Sequence, residues 1–404
     1  MQKVRTSRGG ATTKEPTTVT EHTNSGMDFP VEEYKTRLQR TQEEMAKHDL
    51  DVLLLHQPEN IQYLTGLDAG AGFFSYHAVA VPSHRDPVLI LRDVEIPAAY
   101  LTSWVTSHTS YADSSDPIRV SLDAARRALE GLGLAAGRVG VDEHSWFLTL
   151  ERWKMLQALL PNATFVREPR IVDHLRLIKS PREIDYLRGA ARCVEAGIYA
   201  GIEAVTPGIT ERQLAGTVFG ALVNAGAEMP LSGVITSGNR TNLLHGSYTD
   251  RQLERGDTVY LELSGIHRHY WARLMRTAIV GLPSAEQQHI AETIIRVQDD
   301  AIALMRPGTP ASVIDRACRE PLLATGLRKT YTNRSGYSLG LNYRPSAGEF
   351  IREFVPGVEW VLEPGMVFDM LMMAGGMGFS DMVLVTEQGP ERLTCMERKL
   401  FSCT

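Results

Sequence analysis

Two residues of this chain have the types and settings needed for nucleophilic or acid–base chemistry. Glu262 stands in the string YLELSG, flanked by Leu261 and Leu263. Side chains alternate along a strand, so Tyr260, Glu262 and Ser264 share one face and the two leucines take the other. A carboxylate set inside such a strand must be paired or must hold its proton more tightly. It is then either a nucleophile or general base facing a cavity, or a salt-bridge partner, with Arg273 on the next strand as the natural cation. His245 lies in the polar loop LLHGSYTD. An imidazole titrating near neutrality can give or take a proton at working pH, as a general acid or base must. The bland alternative is a solvated loop histidine. The string His267–Arg268–His269 has the look of a metal pair but falls in a turn between two strands. No histidine follows His289, so the C-terminal strands offer no imidazole to a metal.

Aromatic and methionine-rich strings surround these residues: GAGFFSYH at 70–77, HYWARLM at 269–275 and MLMMAGGMGF at 370–379. A methionine stripe on a strand is first of all core. Phe73, Phe74 and Tyr76 follow a short strand in a loop and read as poorly placed for a core. Aromatic faces in such a loop suit a small cationic ligand.

The elements that must carry these residues fall into two groups. Residues 29–165 read as a small α/β unit, with helix PVEEYKTRLQRTQEEMAKHDL, strands DVLLLHQ, SYHAVAVP and DPVLILRD, helix SLDAARRALEGLGL and strand RVGVDE. From 172 to the end the pattern changes. SPREI predicts a helix start, with Ser180 as N-cap, Pro181 in first position and Glu183 reaching back. TPGITERQLAGTVFGALVNAG is a second helix. VYLELSGIH and YWARLMRTAIVG are strands, AEQQHIAETIIRVQDDAIALM and RPGTPASVIDRACREPLLATG are helices, and WVLEPGMVFDMLMMA and SDMVLVTEQGPERLT close the chain as strands. Residues 1–26, Thr-rich and polar, read as a flexible tail or as an extension before a start at Met27.

Composition narrows the function classes. The 404 residues are 43% hydrophobic and 22% charged, with a net charge of −6, which argues against a dedicated nucleic-acid binder. The four cysteines form no CxxC pair, which removes zinc ribbons and thioredoxin-like chemistry and fits a reducing compartment. No apolar run is long enough to span a membrane, and the N-terminus has no secretory signal, so the expected location is cytoplasmic.

Taken in order, LRLIKSPREIDYLRGAA, SGNRTNLLH with ERGDTVYLELSG, MRTAIVG, LEPGMVFDM and SDMVLVTEQGPERLT resemble the creatinase and methionine-aminopeptidase superfamily (peptidase M24). The resemblance implies an α/β (α+β) protein. It would have a creatinase-type N-terminal α/β domain over 29–165 and a pita-bread catalytic domain over 172–404, with a curved antiparallel sheet covered by helices. Peptidases of this superfamily hold two metal ions with two Asp, one His and two Glu. Carried over position by position, these fall on Glu262, Arg273, Tyr337, Leu371 and Ser380. One carboxylate beside an arginine cannot hold a divalent ion against water, so the resemblance implies an enzyme without metal or other cofactor.

His245 matches the acid/base histidine of creatinase, a metal-free hydrolase of the same superfamily. The combination of Glu262, no metal set, an aromatic loop and the YLEL and VFDMLMMA strings resembles the ectoine-hydrolase branch most. That resemblance implies opening of a cyclic amidine in a small-molecule substrate, ectoine with 5-hydroxyectoine as second candidate, in a homodimer whose aromatic loop (Phe73, Tyr76) covers the partner's site. Glu262 attacks the amidine carbon or activates water, and His245 protonates the ring nitrogen. Arg273 or Arg276 holds the substrate carboxylate, and Tyr337 and Asp381 orient the N–H groups. Two further readings stand: a hydrolase of another guanidino or amidino compound, and a non-catalytic peptidase-like binding protein.

Overall fold

In the computed structural model, which describes residues 25–68, 70, 75–229 and 231–404, the SPREI string starts a helix as its residue types dictate. Ser180 Oγ accepts the Glu183 N–H and the Glu183 carboxylate accepts the Ser180 N–H, with Pro181 in first position. Two donors left over at a helix start are thereby satisfied. The stretch 1–24 and the aromatic residues Phe73 and Phe74 lie outside the described residues.

The chain divides into two units, one ending at Pro169 and one starting at Arg170. The first contains α1 (Val31–Lys47), β1 (Val52–Leu55), α2 (Pro58–Thr65), β2 (Ala78–Pro82), β3 (Val88–Arg92), α3 (Ile96–Thr102), β4 (His108–Tyr111), α4 (Pro117–Gly131), β5 (Arg138–Val141), α5 (Leu150–Leu159) and β6 (Thr164–Arg167). Its six strands form a mixed sheet in the order β4-β3-β2-β1-β5-β6, with β1 antiparallel to β2 and parallel to β5. The central β1 is buried along its whole length, which is why VLLL shows no alternation.

Tyr76 corrects the sequence reading. It is only 2% exposed and packs in the core with Val52, Leu54 and Ala78. Its hydroxyl lies 3.0 Å from His56 Nε2, and its backbone N–H donates to Tyr111 Oη at 2.8 Å. The residue stands two positions before β2, where the chain has already turned inward, so it is not free to act as a lid.

The second unit contains α6 (Ile171–Leu177), α7 (Pro181–Ala204), α8 (Glu211–Asn224), β7 (Leu231–Ser237), β8 (Thr258–His267), β9 (Tyr270–Val280), α9 (Ala285–Ala303), α10 (Ala311–Ala324), β10 (Gly336–Ser338), β11 (Glu353–Phe354), β12 (Val367–Ala374), β13 (Met377–Thr386), β14 (Gly389–Arg392) and β15 (Phe401–Cys403). The main path of its nine-stranded sheet runs β11-β10-β12-β13-β9-β8-β7 and is antiparallel at each recorded pairing, while β15 joins β9 in parallel. The sheet is curled. Its convex face is covered by helices: Leu261 and Leu263 meet α7 at Gly201 and Gly197, while Phe368, Met370, Met372 and Phe379 pack with the apolar sides of α9 and α10. Residues of the opposite parity point to the concave side. Among the described residues no helix is long and apolar enough to cross a membrane.

Candidate active site

The concave side of the sheet opens into a cavity of about 680 Å³ within the second unit. Glu262 of β8, Arg273 of β9, Tyr337 of β10 and Leu371 of β12 all line it, so four of the five positions matching the metal-ligand set of the peptidases meet in one place. The fifth, Ser380, is buried at the register point where β13 faces Leu371 on one side and Met275 on the other. These residues do not fit a pair of metal ions. A guanidinium occupies the space beside the one carboxylate, and an aliphatic chain, a phenol and a buried hydroxyl stand where the other donors would be.

Glu262 is 6% exposed and fully engaged. Tyr260 Oη donates to its Oε2 at 2.7 Å, and Arg273 Nη2 pairs with its Oε1. The ion pair anticipated as the structural alternative is therefore present, but it lines a cavity rather than sealing a core. Backbone packing fixes the carboxylate's place. A β-bulge interrupts β7 between Leu231 and Val234, and at Gly233 an added Cβ would run into the Glu262 carbonyl oxygen. Only glycine lets β7 run this close to β8 at the cavity wall.

His245 lines the same cavity from the loop between β7 and β8. That loop is tied down by the buried Glu211 at the start of α8. Its carboxylate accepts from Ser237 and Thr249, from N–H and hydroxyl in both cases, and pairs with Arg240. Arg240 in turn donates to the Ser247 carbonyl at 2.7 Å. The imidazole is exposed on a loop held from both ends.

Tyr248, Tyr337 and Phe350 supply aromatic walls, and the Arg334 guanidinium lies 4.7 Å from the Phe350 ring centre while donating to Glu353 at 2.5 Å. Burial pushes the phenols of Tyr260 and Tyr337 well above the ordinary range, so both are neutral donors. The methionine stripe divides by parity: Met370 and Met372 belong to the core, and Met373 lines the cavity.

Two expected site residues are elsewhere. Arg276 and Asp381 are fully buried on the convex side, one residue out of phase with Met275 and Ser380. Arg276 Nη2 donates to Asp381 Oδ1 at 2.9 Å, and the guanidinium also bonds the carbonyls of Met275, Ser380, Met396 and Glu397. A pair spent on the backbone of four residues does not bind substrate.

The acid that sequence reasoning passed over is Asp369. It stands on the cavity side of β12, opposite Tyr337 on β10, and is completely buried. Burial raises its carboxyl to about 6, against the lowering influence of Arg273 and the nearby Ser380 and Tyr337 hydroxyls. The signal was in VFDMLMMA: an aspartate inside an eight-residue apolar strand, two positions before Leu371. The His267–Arg268–His269 string forms the β8–β9 turn, with φ of 54° and 60° at its last two residues. His269 stacks on Tyr343, and His267 lies edge-on to Tyr186.

A curled antiparallel sheet carrying its polar face around one cavity is the architecture of a known class of hydrolases, and comparison with known proteins places the chain in it. Residues 185–387 match the metallopeptidase family M24, and residues 37–178 match the creatinase/prolidase N-terminal domain. The chain belongs to the M24 family. An uncharacterized hydrolase/peptidase of Sinorhizobium fredii is 30% identical over 93% of this chain and 98% of its own length. The ectoine hydrolase of Halomonas elongata is 27% identical over the same shares of the two chains. A Xaa-Pro dipeptidase of Pyrococcus horikoshii is 26% identical over 88% of this chain and 96% of its own. Among solved structures, dipeptidase PepE from Mycobacterium ulcerans is 25% identical with a TM-score of 0.78, covering 93% of this chain and 99% of that one.

Proposed function

We propose that this M24 hydrolase opens the ring of a cyclic amidine of the ectoine type and does so without a metal ion. The observation that carries the reading is the cavity wall itself: a carboxylate is retained at the first ligand position while the other four have become Arg273, Tyr337, Leu371 and Ser380. Similarity to the Halomonas elongata ectoine hydrolase over nearly both chains supports it. The reaction consumes one water and breaks one ring C–N bond. Glu262, as nucleophile or as base for water, attacks the amidine carbon. His245 delivers the proton that lets the ring nitrogen leave as an amine. If Glu262 attacks directly, the carbon is left as an imidoyl ester of Glu262 that keeps the second nitrogen, and water then breaks that C–O bond to give the amide and free the carboxylate. Tyr337, Phe350 and Tyr248 face the amidinium, and a guanidinium of the cavity, Arg273 or Arg334, offers a fork to the substrate carboxylate.

A thermal-shift screen against ectoine, 5-hydroxyectoine, creatine and dipeptides tests the substrate class. A ligand at 100 times its dissociation constant adds about 2.7 kcal/mol, so the cyclic amidines should raise the melting temperature while the dipeptides leave it unchanged. The reverse pattern would restore a peptidase. Metal content is tested separately: elemental analysis should find no stoichiometric zinc, manganese or cobalt, and EDTA should leave turnover intact. Two bound equivalents with chelator-sensitive activity would refute the metal-free reading. One observation favours a non-catalytic binding protein instead, the pairing of Glu262 with Arg273, and the response of turnover to loss of the Glu262 charge decides between the two.

A further inference from the structure

A buried carboxylate with no counter-charge bonded to it needs an explanation, because an uncompensated charge in the interior is among the most costly groups a fold can carry. Neither oxygen of Asp369 accepts a hydrogen bond of good geometry from the described residues, although the side chain is wholly shielded from solvent; the Ser380 and Tyr337 hydroxyls and the Arg273 charge stand near enough to temper its burial, but none is bonded to it. The sheet register shows what lies nearest along the cavity face. Asp369 pairs with Tyr337 on one side and Met382 on the other. Met275 faces Ser380 across β9 and β13, so antiparallel pairing sets Arg273 opposite Met382. Arg273, Met382, Asp369 and Tyr337 thus form one cross-strand row on the same face. Arg273 and Asp369 stand two strands apart, about 10 Å between backbones. An extended arginine and an aspartate can span that gap together. Arg273 itself is incompletely satisfied where it is, since its buried Nε has no partner.

We propose that Asp369 is a second berth for the Arg273 guanidinium, taken up when a cation or a bond engages Glu262. The inference rests on the proposed reading of the site. A cationic amidinium that pairs with Glu262 puts two like charges on one carboxylate, and the displaced guanidinium must find another anion or remain buried and unpaired. Asp369 is the acceptor along its row. In this arrangement Asp369 is a positioning residue: it clears Arg273 from Glu262 and keeps the displaced charge neutralised. The substrate carboxylate then falls to Arg334, whose guanidinium is over a third exposed.

The test needs no substrate. Glu262→Gln removes the charge that holds the guanidinium, as a bound cation would neutralise it. In a crystal structure of this variant, an Arg273 Nη atom should lie within about 3.2 Å of an Asp369 oxygen. A guanidinium still bonded to the new amide or turned into the cavity, with Asp369 unpartnered, overturns the proposal. A stability cycle gives an independent reading should crystals fail. Asp369→Asn should leave the melting temperature unchanged or slightly raised in the native background, since it removes an orphan charge. In the Glu262→Gln background it should lower it by about 3 °C, because the guanidinium then loses its berth. Equal effects in the two backgrounds overturn the proposal. Because neither measurement uses turnover, a protein that opens no amidine can pass them, and an active hydrolase can fail them.

Discussion

Replacing Glu262 by glutamine should lower turnover by about 10²–10⁴-fold, the contribution of a positioned base or somewhat more, while the protein stays folded. At 1.36 kcal/mol per decade this corresponds to roughly 3–5 kcal/mol of transition-state stabilisation. The fold should survive because the amide oxygen can still accept from Tyr260, whose hydroxyl now lies 2.7 Å from Glu262 Oε2. The pair with Arg273 is lost, but both side chains line a cavity wall rather than a sealed core, and their side-chain exposures of 8% and 12% leave water within reach. Substrate binding should weaken less than turnover, since the aromatic walls are untouched. His245→Ala should also slow the reaction but does not block attack. Intact-mass analysis of that variant with excess substrate should therefore show an adduct if Glu262 is the nucleophile, and none if it activates water. Should Glu262→Gln unfold the protein and His245→Ala change nothing, the carboxylate is a structural partner of Arg273. The protein is then better read as a binding member of its family.

The parts of the fold that could be read from the sequence are those with strong local chemistry. SPREI carries a complete capping box, and the long strands around Glu262 and Arg273 show where they alternate. Several of the elements missed are short and weakly patterned. HTSY of β4 and TFVR of β6 are four-residue strands at the two edges of the first sheet, where little apolar area is buried. No hydrophobic signal marks them, because none is needed there. The helix PENIQYLT is buried at all eight positions, so it has no polar face to give a period of 3.6 residues.

The site was legible only as far as parity could be followed. Alternation placed Tyr260 and Glu262 together and turned the leucines away, as the structure has them. The same rule separates Arg273 from Arg276 along β9 and, extended across β12 and β13, Asp369 from Asp381. Deciding which of each pair shares the face of Glu262 needs the register between strands far apart in sequence, which Met275 opposite Ser380 supplies for β13. The resemblance offers Arg276 and Asp381 to the substrate by residue type and position, and a buried arginine–aspartate pair looks the same in a list whether it faces substrate or core. Tyr76 was misread for a related reason: a glycine-flanked aromatic string looks like a loop, and only the packing against Val52, Leu54 and Ala78 shows where it has already entered the core.

Asp381→Ala should destabilise the protein by about 3–5 kcal/mol, the cost of leaving a buried charge without its partner. Arg276 would keep its carbonyl acceptors but lose its counter-charge in a place with no access to water, its side chain being 0% exposed. Arg398, whose Nε lies 2.9 Å from Asp381 Oδ2, would lose the same partner, and Thr394 Oγ1 its 2.8 Å acceptor. Urea titration of the second unit's transition should show the midpoint falling with little change in slope. Replacing the pair together, Asp381→Leu with Arg276→Met, should recover part of the loss, because two apolar side chains need no counter-charge. The turnover of the molecules that remain folded should be nearly that of the native protein, since both residues face the convex side. A variant that keeps its stability and loses its activity would contradict this placement and return Asp381 to the substrate, orienting the amidine N–H groups as the family resemblance implies.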